Sequence, residues 1–73
     1  MKMRMSTLQK EQMESLYNLY KRQYYLCENK RERALGGMEA LRHVAKNFGY
    51  SFEAEGIETI NEITCTVYKL EEI

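Results

Sequence analysis

At Gly49 the spacing of apolar residues changes from helical to alternating, and this divides the chain into two kinds of structure. Upstream, Met13, Tyr17, Tyr20, Tyr24, Cys27, Arg31, Ala34, Met38, Leu41, Ala45 and Phe48 follow one another in steps of four and three without a slip. That is the seam of a helix, or of two helices in register. Downstream, "YSFEAE" and "EITCTVYKL" alternate with period two, and the second is rich in β-branched and aromatic residues. The expected fold is therefore α+β, two helices followed by a two-stranded antiparallel ribbon.

The helical half can be one rod or two. A single helix over residues 7–48 would be ~63 Å long and would leave most of its apolar seam without a partner. Arg31 at the middle of the seam is a poor residue for a continuous coiled coil. "STLQ" at Ser6 and "NKRE" at Asn29 both carry the capping-box signature, with Ser6 and Asn29 as N-caps and Gln9 and Glu32 three residues on. These signals favour an antiparallel hairpin with helices over about 7–28 and 30–48, Gly49 closing the second. Strands are expected over about 50–55 and 63–70, joined by Gly56 to Glu62, where "IETINEI" has room for a helical turn. Residues 1–5 read as a flexible N-terminus and 6–73 as one domain.

A chain of this length lies near the lower limit for a single unaided core. Two cysteines, Cys27 and Cys65, are too few for a disulfide framework and share no Cys-x-x-Cys spacing. Self-association is the natural extra source of stability, so a homodimer is expected. No apolar run is long enough to span a bilayer, and the basic N-terminus lacks the apolar region of a secretory signal. A cytoplasmic location without a membrane partner follows as the expectation.

Charge is divided along the chain. Residues 1–48 hold ten Lys and Arg against five Glu, whereas 49–73 hold Lys69 against six Glu. The acidic set Glu53, Glu55, Glu58 and Glu62 is one candidate partner-binding face, and Lys21, Arg22, Lys30, Arg31 and Arg33 are the other. Lys30, Arg31 and Arg33 stand at the expected start of a helix, where cations oppose the dipole, which suits an anionic partner. The tyrosines of "YNLYKRQYYLC", interleaved with Lys21 and Arg22, could stack on bases. Tyr17, Tyr20 and Tyr24 fall on the seam itself, which favours a packing role.

Catalytic patterns are missing. Cys27, His43 and Cys65 are 16 and 22 residues apart and match no zinc spacing, and no third group is placed to orient a Cys–His pair. "GG" at Gly36 lacks the Gly-Lys-Ser/Thr that follows in a phosphate loop. Neither an enzyme, a cofactor nor a small-molecule substrate is expected. The two glycines, each costing a helix about 1 kcal/mol against alanine, instead suggest a notch for close packing. Ala34, Gly36, Gly37 and Ala40 would form it, with Tyr20 or Tyr24 of the first helix, or a second copy, filling it.

"GGMEALRHVAKNFGYSFE", preceded by the Tyr-rich "YNLYKRQYYLC" and ending its helix in Gly49–Tyr50, resembles short uncharacterised accessory proteins of Gram-positive phages and mobile elements. The resemblance covers about residues 16–53 and implies a setting, because such proteins bind and redirect host proteins, defence components among them. The combined expectation is a non-enzymatic interaction protein that regulates or inhibits a host protein through charged surfaces. The alternative is a nucleic-acid-binding protein using the basic helical half.

Overall fold

A computed structural model describes residues 5–60 and 62–73. Its elements are α1 (Thr7–Leu26), one 3₁₀ turn (Glu28–Lys30), α2 (Arg31–Asn47), β1 (Tyr50–Ile60) and β2 (Ile63–Glu72). The chain is an α+β domain in which a helical hairpin packs on a two-stranded antiparallel ribbon.

α1 begins as its capping box requires. Ser6 Oγ accepts from the Gln9 amide at 3.1 Å, and Gln9 Oε1 accepts from the Ser6 amide at 3.0 Å. The start of α2 departs from expectation. Asn29 does not cap it; it lies within the 3₁₀ turn, and the capping position is Lys30, without a side-chain cap. Cys27 is extended and the 3₁₀ turn completes the reversal, so the chain is already turning at Asn29. Arg31, the misfit of the seam, begins α2 and reaches back to α1. Its Nε donates to the Tyr24 carbonyl at 3.1 Å, and its guanidinium lies 5.7 Å from the Tyr24 ring centre. A cation therefore satisfies one of the carbonyls left open at the end of α1.

Seam residues face inward throughout except at this reversal, where Arg31 is exposed. Ala34, Met38 and Ala45 are buried on α2 and Tyr17 on α1. Tyr17 stacks on Phe52 of β1, with ring centres 3.9 Å apart, and meets Tyr68 of β2 edge-on at 5.3 Å. Met5 also joins the core with Ala45, Tyr50 and Leu70. Residues 1–4, the rest of the segment expected to be flexible, lie outside the described residues.

β1 runs to Ile60, five residues beyond the expected end, because Gly56 does not stop it. The register passes from Ala54 opposite Tyr68 to Gly56 opposite Val67, so Glu55 is an extra residue in a bulge. One inserted residue breaks the alternation without breaking the strand, which hides its second half from a period-two reading. Among the described residues of this segment no helical turn forms; Glu62, at φ 68°, is a turn residue. At the other end Gly49 (φ 84°) turns the chain from α2 into β1, and its carbonyl accepts from the Ile73 amide at 2.9 Å.

The ribbon twists as it passes the helices. Leu70 and Cys65, five positions apart on β2 and therefore on opposite sides of the strand, are both buried. Strict alternation, with Cys65 and Leu70 on different faces, is replaced by a ribbon that shows α1 one side near its base and the other farther out. The bulge increases that twist.

Candidate interaction surfaces

Three surfaces emerge once the elements are assembled, and the first is an internal one. Glu14, Asn18 and Arg22 lie at i, i+4 and i+8 on α1, which places them in one row along the helix. Glu14 Oε2 accepts from the Leu70 amide at 2.7 Å, and Asn18 both donates to and accepts from the Tyr68 backbone at 3.0 and 2.8 Å. Arg22 Nε stands 3.6 Å from Glu58 Oε1. A two-stranded ribbon has two open edges, and this row covers part of the β2 edge with polar side chains.

The predicted charged faces are reorganised by that contact. Glu53, Glu55 and Glu62 are exposed, whereas Glu58 is half-buried and paired to Arg22. Glu53 sits opposite Lys69 and Glu58 opposite Cys65, so both share one side of the ladder. That side is open at Glu53 but closed against the helix at Cys65, so the four glutamates do not form a single face. Glu53 accepts from the Ser51 hydroxyl at 2.8 Å. Lys69 lies 3.1 Å from Glu71, and this hydrogen bond and charge hold its ammonium pKa above the ordinary lysine value.

The basic set is likewise divided. Lys30 and Arg33 are exposed at the helical turn, and Arg31 is engaged with Tyr24. Lys21 lies between two rings, 5.5 Å from the centre of Tyr25 and 5.3 Å from that of Tyr68. The interleaved tyrosines and cations of α1 thus contact one another, which uses the rings that base stacking would need. The Arg22–Glu58 pair also sets the basic turn and the acidic ribbon end at the same end of the molecule, and their fields partly cancel there.

The second surface is the outer half of the ribbon. Ile57 is 73% exposed and Ile63 40%. Ile57 sits opposite Thr66, and Ile63 is an odd number of residues from Thr66, so the two isoleucines lie on opposite sides of the ladder. Exposed Glu55 and Glu62 flank them.

The third is the face of α1 turned away from the ribbon. Leu8 is 63% exposed and Leu19 43%, with Leu16 beside them. Leu16 is a ridge between two shallow grooves, one bounded by Leu8, Gln12, Ser15 and Leu19, the other by Met13, Val44 and Phe48. Sequence reasoning passed over this face because it followed one seam only. A second row, Leu8, Gln12, Leu16, Leu19, Gln23 and Leu26, runs beside the first in the same steps of three and four, and it was the available signal.

The small-residue positions divide as well. A Cβ built on Gly37 would lie 2.5 Å from Tyr20 Cε2, so the Tyr20 ring rests on this glycine. Gly36 has nothing within 4 Å, Ala40 is exposed and Ala34 is buried. Gly36 and Ala40 thus stand outside the contact, a turn of about 100° per residue carrying Gly36 away from α1.

Cys27 and Cys65 are free thiols, and His43 is exposed on α2. Among the described residues no three His, Cys, Asp or Glu side chains gather closely enough to hold a metal, and no helix is long and apolar enough to cross a membrane. No known protein family matches the chain, and no curated protein or solved structure is significantly similar to it.

Proposed function

We propose that this chain is a small non-enzymatic protein that acts by binding another protein through the outer end of its ribbon. The observation that carries this reading is Ile57, 73% exposed on a strand whose neighbours Glu55 and Glu62 are carboxylates in solvent. An isoleucine left in water forgoes roughly 1.5–3 kcal/mol of burial, which a partner's groove would recover. Ile63 on the opposite side of the ladder suits a hairpin held from both sides, and the flanking glutamates suit a groove with a basic rim. The resemblance to phage accessory proteins makes a host protein, such as a defence component, the partner class. Regulation or inhibition would follow from occupying that partner's groove. The cytoplasm of the host cell is the matching location.

Capture from a Gram-positive bacterial lysate, comparing the full chain with Ile57→Ser/Ile63→Ser, tests the reading. Both substitutions are on exposed positions, so the fold should persist by circular dichroism while the captured protein is lost. An identical set of captured proteins from both chains sinks the proposal.

The second reading, nucleic-acid binding, is favoured by Lys30 and Arg33, exposed together at the helical turn. It requires a mobility shift with steep salt dependence that Lys30→Glu/Arg31→Glu/Arg33→Glu removes. No shift of the unmodified chain at low salt ends it.

A further inference from the structure

The two edges of the ribbon lie in different surroundings. Asn18 takes both backbone groups of Tyr68 and Glu14 takes the Leu70 amide, so here β2 points its hydrogen-bonding groups at α1 and away from β1. In an antiparallel ladder the residues opposite such positions also point their groups away. Those residues are Ala54 and Phe52, whose N–H and C=O groups therefore face outward from β1. Among the described residues no side chain or turn backbone bonds to them. Glu53 to Ile57 are exposed without interruption, so both sides of β1 are in solvent here, whereas Thr66 to Leu70 of β2 are half-buried or buried. One edge is closed by a helix and the other is open.

We infer that the open edge of β1, from Phe52 to the bulge at Glu55, takes up an extended segment of another protein as a third strand, one with Lys or Arg at alternate positions. The inference rests on the ribbon being the docking element, as proposed above, but uses a different stretch from Ile57 and Ile63. Charge decides the occupant. β1 carries Glu53, Glu55 and Glu58 and no cation. Glu58 is committed to Arg22, whereas Glu53 and Glu55 have no ion pair among the described residues. Lys69, opposite Glu53, is bridged to Glu71, and the Ser51 hydroxyl that Glu53 accepts is neutral. Glu53 and Glu55 are two residues apart on one strand. A neighbouring strand with cations at every second position would meet both.

A second copy does not fit the same edge. Pairing Phe52 with Ala54 of a two-fold mate uses both outward residues and puts Glu53 opposite Glu53. Pairing Ala54 with Ala54 puts Glu53 opposite Glu55. Like charges directly opposite one another destabilise a ladder. Glutamates and a bulge on an edge strand discourage pairing with a like chain. Here they leave Phe52 to Ala54 open to a chain of opposite charge. Strand addition takes its affinity from main-chain bonds and its selectivity from alternate side chains.

A blocked peptide of alternating lysine and valine is the probe, titrated calorimetrically into the full chain at low salt. It should bind, and binding should weaken as salt is added. The same peptide N-methylated at every amide keeps its charges but cannot donate, and should bind at least tenfold more weakly. The unmethylated peptide should lose as much on Ala54→Pro, which removes an outward N–H without touching the ladder to β2. Glu53→Gln/Glu55→Gln should weaken it by a similar factor. Ile57→Ser/Ile63→Ser should bind the peptide as the unmodified chain does, so lost capture from a lysate and lost peptide binding are separate readouts. The methylated peptide carries the decision if Ala54→Pro unfolds the chain. No binding at millimolar peptide, or equal binding of the methylated peptide, overturns the inference. So does a dimer in sedimentation equilibrium that Ala54→Pro dissociates, because a second copy then holds the edge.

Discussion

The carboxamide of Asn18 pairs with both backbone groups of Tyr68, donating from Nδ2 to the carbonyl at 3.0 Å and accepting at Oδ1 from the amide at 2.8 Å. A helix side chain thereby gives the edge of β2 the donor and acceptor that a third strand would have supplied. The two bonds together also determine which way the amide points. Asn18→Ala removes both partners from a part-buried backbone pair, and each orphaned group costs about 1–3 kcal/mol. The expected outcome is a fall in melting temperature of at least about 10 °C. Faster hydrogen exchange at the Tyr68 amide should accompany it. Asn18→Asp keeps the acceptor but sets a carboxylate oxygen against the Tyr68 carbonyl, so it should not restore the stability that Asn18→Ala loses. A melting temperature unchanged in Asn18→Ala contradicts the assigned role.

The two capping-box signatures of the sequence should respond differently to the same change. Ser6 Oγ satisfies the Gln9 amide, so Ser6→Ala should cost about 1 kcal/mol. Asn29 is exposed within the 3₁₀ turn and makes no capping bond to α2. Asn29→Ala should therefore stay within about 0.5 kcal/mol of the unmodified chain. Urea denaturation of the two variants side by side measures the contrast. Equal losses would mean that Asn29 caps α2 in solution.

Why one signature acts and the other does not shows how far the sequence could be read. The seam from Met13 to Phe48 named the inward face of both helices, because helix packing needs only periodicity, which is local. Arg31, a poor residue for a continuous coiled coil, does stand beside the reversal, but the Asn29 cap that favoured the hairpin does not form. The bond from Arg31 to the Tyr24 carbonyl joins two elements and has no local signature. The Glu55 bulge hid half of β1 for a similar reason, since a single extra residue cancels a period-two pattern. The charge division along the chain was legible, yet its use was not. Glu58 meets Arg22 across the fold, so part of an expected docking surface is consumed internally. The exposed leucine row of α1 was present in the spacing and was passed over beside the stronger seam.

Lys69 gives a prediction in pH. The hydrogen bond and charge of Glu71 raise its pKa, so the folded state holds this proton more firmly than the unfolded chain does. Whatever stability this adds is fully present below the unfolded lysine value of about 10.4 and is lost only as pH rises through the folded one. Between pH 5 and 9 the pair should therefore contribute no pH dependence. Glu71→Gln should lower the Lys69 midpoint in an NMR titration of its side-chain resonances. A midpoint that does not move would remove Glu71 as the cause.

Gly36 and Gly37 are adjacent, yet alanine should have opposite effects at the two positions. At Gly36 a Cβ meets nothing within 4 Å, so only the backbone responds. Helix propensity then favours alanine, and Gly36→Ala should stabilise the protein by about 0.5–1 kcal/mol. At Gly37 the new Cβ would lie 2.5, 2.6 and 2.9 Å from Cε2, Cζ and Cδ2 of Tyr20. Three atoms of one ring are too close, so the ring must shift as a unit or α1 must move away from α2. Overpacking of this kind costs about 1–3 kcal/mol, more than the propensity gain returns. Gly37→Ala should therefore lower the melting temperature even though it improves the helix, and Tyr20→Ala in the same chain should relieve the clash. Replacing both glycines should leave a net loss smaller than that of Gly37→Ala alone. Thermal unfolding of the single and double variants checks the order, and a gain in stability for Gly37→Ala would show that the Tyr20 ring does not rest there.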